Sequence, residues 1–190
     1  MLYDCLEGNE MEAPHTVLRF WFEELTRKEW FQVSAEVDAE ISARFGRTHL
    51  DLARGEVTEW RGSPDQRLAG IIVLDQFSRN IYRGTPLAFA ADWIALREAR
   101  LALEAGADMG VPEDRRAFFY LPFEHSESLS DQELSVQLFR KLGDPEYLDY
   151  AERHLAVIRE FGRFPHRNAL LGRESNSAEL DYLSKPGAGF

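Results

Sequence analysis

The chain has one cysteine, Cys5, among 190 residues, and a lone cysteine cannot form an internal disulfide. No apolar run approaches the ~20 residues that cross a bilayer, so no membrane contact is expected. The opening residues, MLYDCLEGNEMEAP, are acidic and lack the basic stretch of a secretory signal. Neither Asn168 nor Asn176 has Ser or Thr two positions on, as a glycosylation acceptor requires. These absences together point to the cytoplasm. Also missing are a G-x-S-x-G elbow, a Walker loop, a dinucleotide fingerprint and the paired His or Cys spacings of zinc sites. No cofactor and no metal is therefore expected.

What is present is the composition of a globular domain, 44% hydrophobic and 29% charged. A chain of this length buries roughly 70% of its unfolded surface, enough for one self-sufficient domain over residues 1–190. The net charge of −11 argues against nucleic acid, whose binding is dominated by phosphate contacts. Against that acidic background, residues 153–173 hold five arginines and one glutamate, together with His154 and His166. A basic cluster inside an acidic protein recognises a small anion or forms internal ion pairs.

The punctuation is helical. Ser63-Pro64, Thr85-Pro86 and Asp144-Pro145 each place a capping residue before a proline at the first helical position. The first opens a run to about Arg79. The second opens a long amphipathic helix to Gly106, and the third a helix to Gly162. Ser130 with Glu133 and Asn176 with Glu179 read as capping boxes. Val37, Ile41, Phe45 and Leu52 mark a helix over 34–53, and VLRFWF a short aromatic one. A further helix from Pro112 should stop at Leu121-Pro122, since the residue before proline avoids the helical region. A strand for GIIVL has no partner strand elsewhere. The fold class is all-α, built from antiparallel αα-hairpins in a compact tetratricopeptide-like right-handed superhelix, with residues 1–12 disordered or an extension and 185–190 a frayed tail.

Three segments set ionisable groups beside apolar anchors. In LDQFSRNIYRG, Asp75 and Arg79 continue the helical stripe begun by Leu68 and Ile72, with Gln76, Asn80 and Arg83 beside them. Charges on a core-facing stripe are costly unless something meets them. In FFYLPFEHSE, Glu124, His125 and Glu127 sit on a loop after a proline turn, where a histidine beside carboxylates suits acid/base work. In FGRFPHRNALLGRES, Arg163, His166, Arg167, Asn168 and Arg173 present forks that fit carboxylate or phosphate oxygens.

These blocks, together with VLRFWF and TPLAFAAD, resemble domain-of-unknown-function family 924 across about residues 14–183. The resemblance implies a tetratricopeptide-like superhelix, a bacterial source and no established activity. Its motif residues correspond here to Trp21, Asp75, Gln76, Arg79, Asn80, Arg83, Glu124, His125, Glu127, His154, Arg163, Pro165, Arg167, Asn168, Gly172 and Arg173. Asn176-Ser177-Ala178 departs from the Thr-Pro-Glu type of cap usual in the family. The family pattern begins near VLRFWF, which makes Met11 an expected translation start.

Three functional expectations follow. The first is a pocket in which Asp75, Gln76, Arg79, Asn80, Arg83, His125, His154, Arg163, Arg167, Asn168 and Arg173 bind a small anionic molecule or a peptide carboxylate. The second is a hydrolase-like enzyme using His125 with Glu124 or Asp75. The third is an interaction scaffold whose polar network only locks helices together.

Overall fold

The structure, a computed structural model, describes residues 11–189. The expected extension over residues 1–12 and the start at Met11 turn on residues 1–10, which lie outside the described residues. The described residues form ten α-helices: α1 (Pro14–Arg19), α2 (Arg27–Phe31), α3 (Ala35–Arg54), α4 (Pro64–Ile72), α5 (Ser78–Ile81), α6 (Asp92–Glu104), α7 (Ala117–Glu124), α8 (Leu129–Leu142), α9 (Pro145–Phe161) and α10 (Ser177–Leu183). No strand occurs among the described residues. The fold is all-α.

α4, a π-helical turn over Val73–Phe77 and α5 form one unbroken central helix. It starts as its sequence dictates, with the Ser63 hydroxyl accepting from the Gln66 amide and Pro64 in the first turn. Every residue from Leu68 to Ser78 is buried, so the helix is enclosed on all sides and not along one stripe. α1, α6 and α7 pack on α4, and α3 packs on the π turn and α5. Phe77 of the central helix meets Phe45 of α3 at 4.8 Å between ring centroids and Trp21 at 5.5 Å, and Trp21 in turn meets Phe118 of α7 at 5.6 Å. α7, α8 and α9 then pack in succession. The two-residue link through Gly143, at φ +83°, makes α8 and α9 an antiparallel hairpin.

Three boundaries differ from expectation. The Thr85-Pro86 segment forms only a 3₁₀ turn, Pro86–Phe89, and α6 begins afresh at Asp92. Pro122 lies inside α7 and does not end it: all eight residues of this helix are buried, and packing outweighs the lost amide bond. Glu124 is therefore helical, with His125 as the capping residue. The α8 cap is Ser128, whose hydroxyl bonds that of Ser130 at 2.9 Å, so the expected Ser130 capping box is not made. The Asn176–Glu179 box is made in both directions.

Candidate functional site

Asp75 lies at the middle of the π turn, 1% exposed. Its Oδ1 accepts from His125 Nδ1 at 2.8 Å and faces Arg79 Nη1 at 3.2 Å, while Oδ2 accepts from Gln76. The π turn puts Asp75 and Gln76 on the side facing the end of α7, and π turns recur at functional positions. Burial opposes ionisation of Asp75, but the Arg79 guanidinium and the His125 ring hold its carboxyl well below the usual range. Arg79 also donates to the Asp75 carbonyl at 2.6 Å and to both oxygens of Asp92 at 3.0 and 3.2 Å. The break before α6 is what brings Asp92 there.

His125 gives its Nδ1 hydrogen to Asp75, which leaves Nε2 as the acceptor. Burial and the Arg79 charge lower its pKa, so the ring is neutral at pH 7. Glu124, one residue earlier and 3% exposed, has Oε1 3.5 Å from His154 Nδ1, and its Oε2 has no hydrogen-bond partner among the described residues. Burial, then the negative charge of Asp75, push its carboxyl up to about 8. His154 donates Nδ1–H to the Tyr150 carbonyl at 2.8 Å, and burial takes its pKa down to about 3.

Arg79, Glu124, His125 and His154 face a cavity of about 320 Å³ between α2, α5, α7 and α9, while Asp75 lies behind its wall. Gln76, Arg79, Asn80, Arg83, Glu124, His125 and His154 contribute to its wall, as do Arg27, Trp30 and Phe31 from α2 and Tyr147 and Tyr150 from α9. The Tyr147 hydroxyl is buried and lacks a partner among the described residues. The arginines are engaged by carboxylates: Arg83 meets Asp38 at 2.6 and 2.9 Å, and Arg27 meets Asp144 and Glu146 at 2.9 and 3.0 Å. Asn80 joins Arg83 on Asp38 at 2.8 Å.

The remaining sequence candidates sit beside this cavity and outside its wall. Arg167 lies between the rings of Phe89 and Phe164, 4.7 and 4.5 Å from their centroids, and reaches Asp92 at 3.4 Å. Arg173 grips Glu127 through two bonds of 2.8 and 2.9 Å and donates to Asn168 Oδ1. Arg163 does the same with Glu179, at 2.6 and 2.8 Å. These pairs fasten the segment after α9 onto the link between α7 and α8 and onto α10. Sequence reasoning passed over Arg27, Trp30, Tyr147 and Asp92. Asp92 closes the TPLAFAAD block, and Tyr147 lies in the first turn after the Asp144 cap, but neither position carries a local mark of a cavity. Among the described residues no three of His, Cys, Asp and Glu are grouped to hold a metal ion, and no helix is long and apolar enough to cross a membrane.

The model of a family described as bacterial protein of unknown function (DUF924) matches residues 17–187. The chain belongs to this family. A solved structure, that of the protein of unknown function ATU0120 from Agrobacterium tumefaciens, is similar to this chain. The two are 38% identical with a TM-score of 0.87, over 90% of this chain and 96% of that one. No curated protein matches the chain. The family assignment agrees with the resemblance carried by LDQFSRNIYRG, FFYLPFEHSE and FGRFPHRNALLGRES.

Proposed function

We propose that the cavity between α2, α5, α7 and α9 binds a small polar metabolite carrying an acidic group. One observation supports this above the rest: Glu124 Oε2 and the Tyr147 hydroxyl, both buried, have no hydrogen-bond partner among the described residues. An unpaired buried polar group costs about 1–3 kcal/mol, which a ligand meeting both would recover. The volume of about 320 Å³ stands at the lower end of the ~300–1,000 Å³ range of small-molecule sites, which favours a metabolite over a peptide. Trp30, Phe31 and Tyr150 offer apolar flanks. Arg27, held by Asp144 and Glu146, and Arg83, held by Asp38, keep further N–H groups for the acidic end. Glu124, protonated at neutral pH, donates to an acceptor on the inner end. We place this activity in the cytoplasm, and read the α8–α9 hairpin as a tetratricopeptide-like unit of the fold.

A thermal-shift screen of small mono- and dicarboxylic acids tests the reading. An acid present at 100 times its dissociation constant adds about 2.7 kcal/mol. The variant Tyr147→Phe, which deletes the unpaired hydroxyl and keeps the ring, should fold at least as stably and bind the same acid about tenfold more weakly. No stabilisation by any acid, or an identical shift in Tyr147→Phe, would overturn the proposal.

A further inference from the structure

We propose that this cavity also performs proton transfer on a small carbonyl acid, with His125 as general base at the carbon next to the carbonyl and Glu124 as general acid at the carbonyl oxygen. The inference rests on the binding reading above and adds a reaction to it.

The geometry supplies each part. The buried Asp75 carboxylate takes the Nδ1 hydrogen of His125 at 2.8 Å, which fixes the ring and its tautomer. Asp75 is thus a positioning residue. Nε2, the basic nitrogen, has no partner among the described residues, and His125 lines the cavity. The acid is the adjacent wall residue, Glu124, whose Oε2 is also unpartnered. Among the described residues the cavity wall holds no Ser, Thr, Cys or Lys, and the groups left to act on a substrate there are carboxyl, imidazole and phenol. A base and an acid in the wall of one cavity, with arginine N–H groups beside them for a carboxylate, suit enolisation.

The step balances without a further reactant. Nε2 takes the proton from the carbon, and the C–H electron pair becomes the C=C bond. The carbonyl π pair takes the Glu124 proton. The products are an enol, an imidazolium and a carboxylate. Return of the protons, either to the original carbon or to a conjugated one, restores the protein and leaves the substrate exchanged or isomerised.

The protonation states at neutral pH agree with these roles. His125 faces Asp75 and Arg79 of the central helix, Asp92 of α6, His154 of α9 and His166 of the following turn. Burial and Arg79 outweigh the carboxylates, and the ring stays neutral. Glu124 faces Asp75, His154 and Tyr147, and burial keeps its proton on up to about pH 8. General acid and base groups contribute roughly 10²–10⁴-fold, most effectively with pKa values near the working pH.

The test uses the full chain in D₂O with a panel of three- to six-carbon 2-oxo and 3-oxo acids. Binding is followed by saturation-transfer NMR, and exchange of the C–H next to the carbonyl by loss of its proton signal. At least one bound acid should exchange faster than in buffer. His125→Gln should bind it and lose about 100-fold in rate. Glu124→Gln, an isostere of the protonated side chain, should slow exchange and remove the decline above about pH 8. The ¹⁵N shifts of the His125 ring at pH 7 should report the neutral Nδ1–H tautomer. Binding without exchange, exchange unaltered in His125→Gln, or an Nε2–H tautomer would each overturn the proton-transfer proposal and leave the binding site standing. Binding of no acid would overturn both.

Discussion

Arg79 and Arg167 donate to the same oxygen of Asp92, at 3.2 and 3.4 Å. One arginine comes from the central helix and the other from the turn that follows α9, so a single carboxylate links the middle of the chain to its end. Arg79 has a second anion in Asp75, whereas Arg167 has its Nε buried without a partner. Burial and the charge of Arg79 bring the pKa of Arg167 down to about 10.

Replacing Asp92 should therefore cost more than a surface ion pair does. In Asp92→Asn the two guanidiniums keep their charges and lose their common anion. The expected loss is about 3 kcal/mol, the low end for breaking a buried pair, because Asp92 retains 20% exposure. Urea unfolding measures it. Adding Arg167→Met to Asp92→Asn should restore part of the loss, since the less satisfied charge goes with it. A double variant no more stable than the single one would show that Arg167 is not the strained partner.

The buried histidines set the acid limit of stability. His49 is 4% exposed, bonds Ser78 Oγ through Nε2, and has its Nδ1 buried without a partner. Burial lowers its pKa from 6.5 to about 4, and burial likewise takes His154 to about 3 and His166 to about 4. Between about pH 4 and 6.5 the unfolded chain binds more protons at these sites than the folded one, so stability rises with pH across that window. The contribution is whole above 6.5 and lost as pH falls towards 4. Urea midpoints at pH 7, 5.5 and 4.5 should drop less steeply for His49→Gln than for the parent, and parallel curves would remove His49 from the account.

Glu124 acts with the opposite sign. Its folded pKa of about 8 exceeds the ordinary 4.5, so between those values the folded state binds the extra proton. Its contribution is whole below about 4.5 and is lost as pH rises to 8. Glu124→Gln carries no ionisable group there, and its melting temperature should hold between pH 6.5 and 8.5 while that of the parent falls. Equal declines in both proteins would show that Glu124 is already ionised at pH 6.5.

The sequence was most informative where structure is local. Ser63, Asp144 and Asn176 cap the helices that follow them, and Gly106, Gly143 and Gly162 take positive φ at helix ends. Each depends on hydrogen bonds or backbone freedom within a few residues. It failed where packing overrode local preference. Nothing in FFYLPFEHSE announces that burial carries the helix through Pro122, or in PLAFAAD that the helix restarts at Asp92.

The same division holds at the site. Asp75, Arg79, Glu124 and His125 stood out because ionisable residues among apolar ones need partners. The i, i+4 pair of Asp75 and Arg79 was legible, being set by helix geometry alone. That His125 caps α7 against Asp75, fifty positions earlier, is a tertiary fact. So is the sorting of the arginines, with Arg79 and Arg83 at the cavity and Arg163 and Arg173 bound to Glu179 and Glu127. The sequence by itself determined the all-helical class, the family and the residues that had to find partners. Which partner each one found, and that a cavity opened beside Glu124 and Tyr147, only the tertiary structure decided. The reason is physical: a charge within one helix has neighbours fixed at three or four residues, whereas a charge between helices takes whichever group chain packing brings to it.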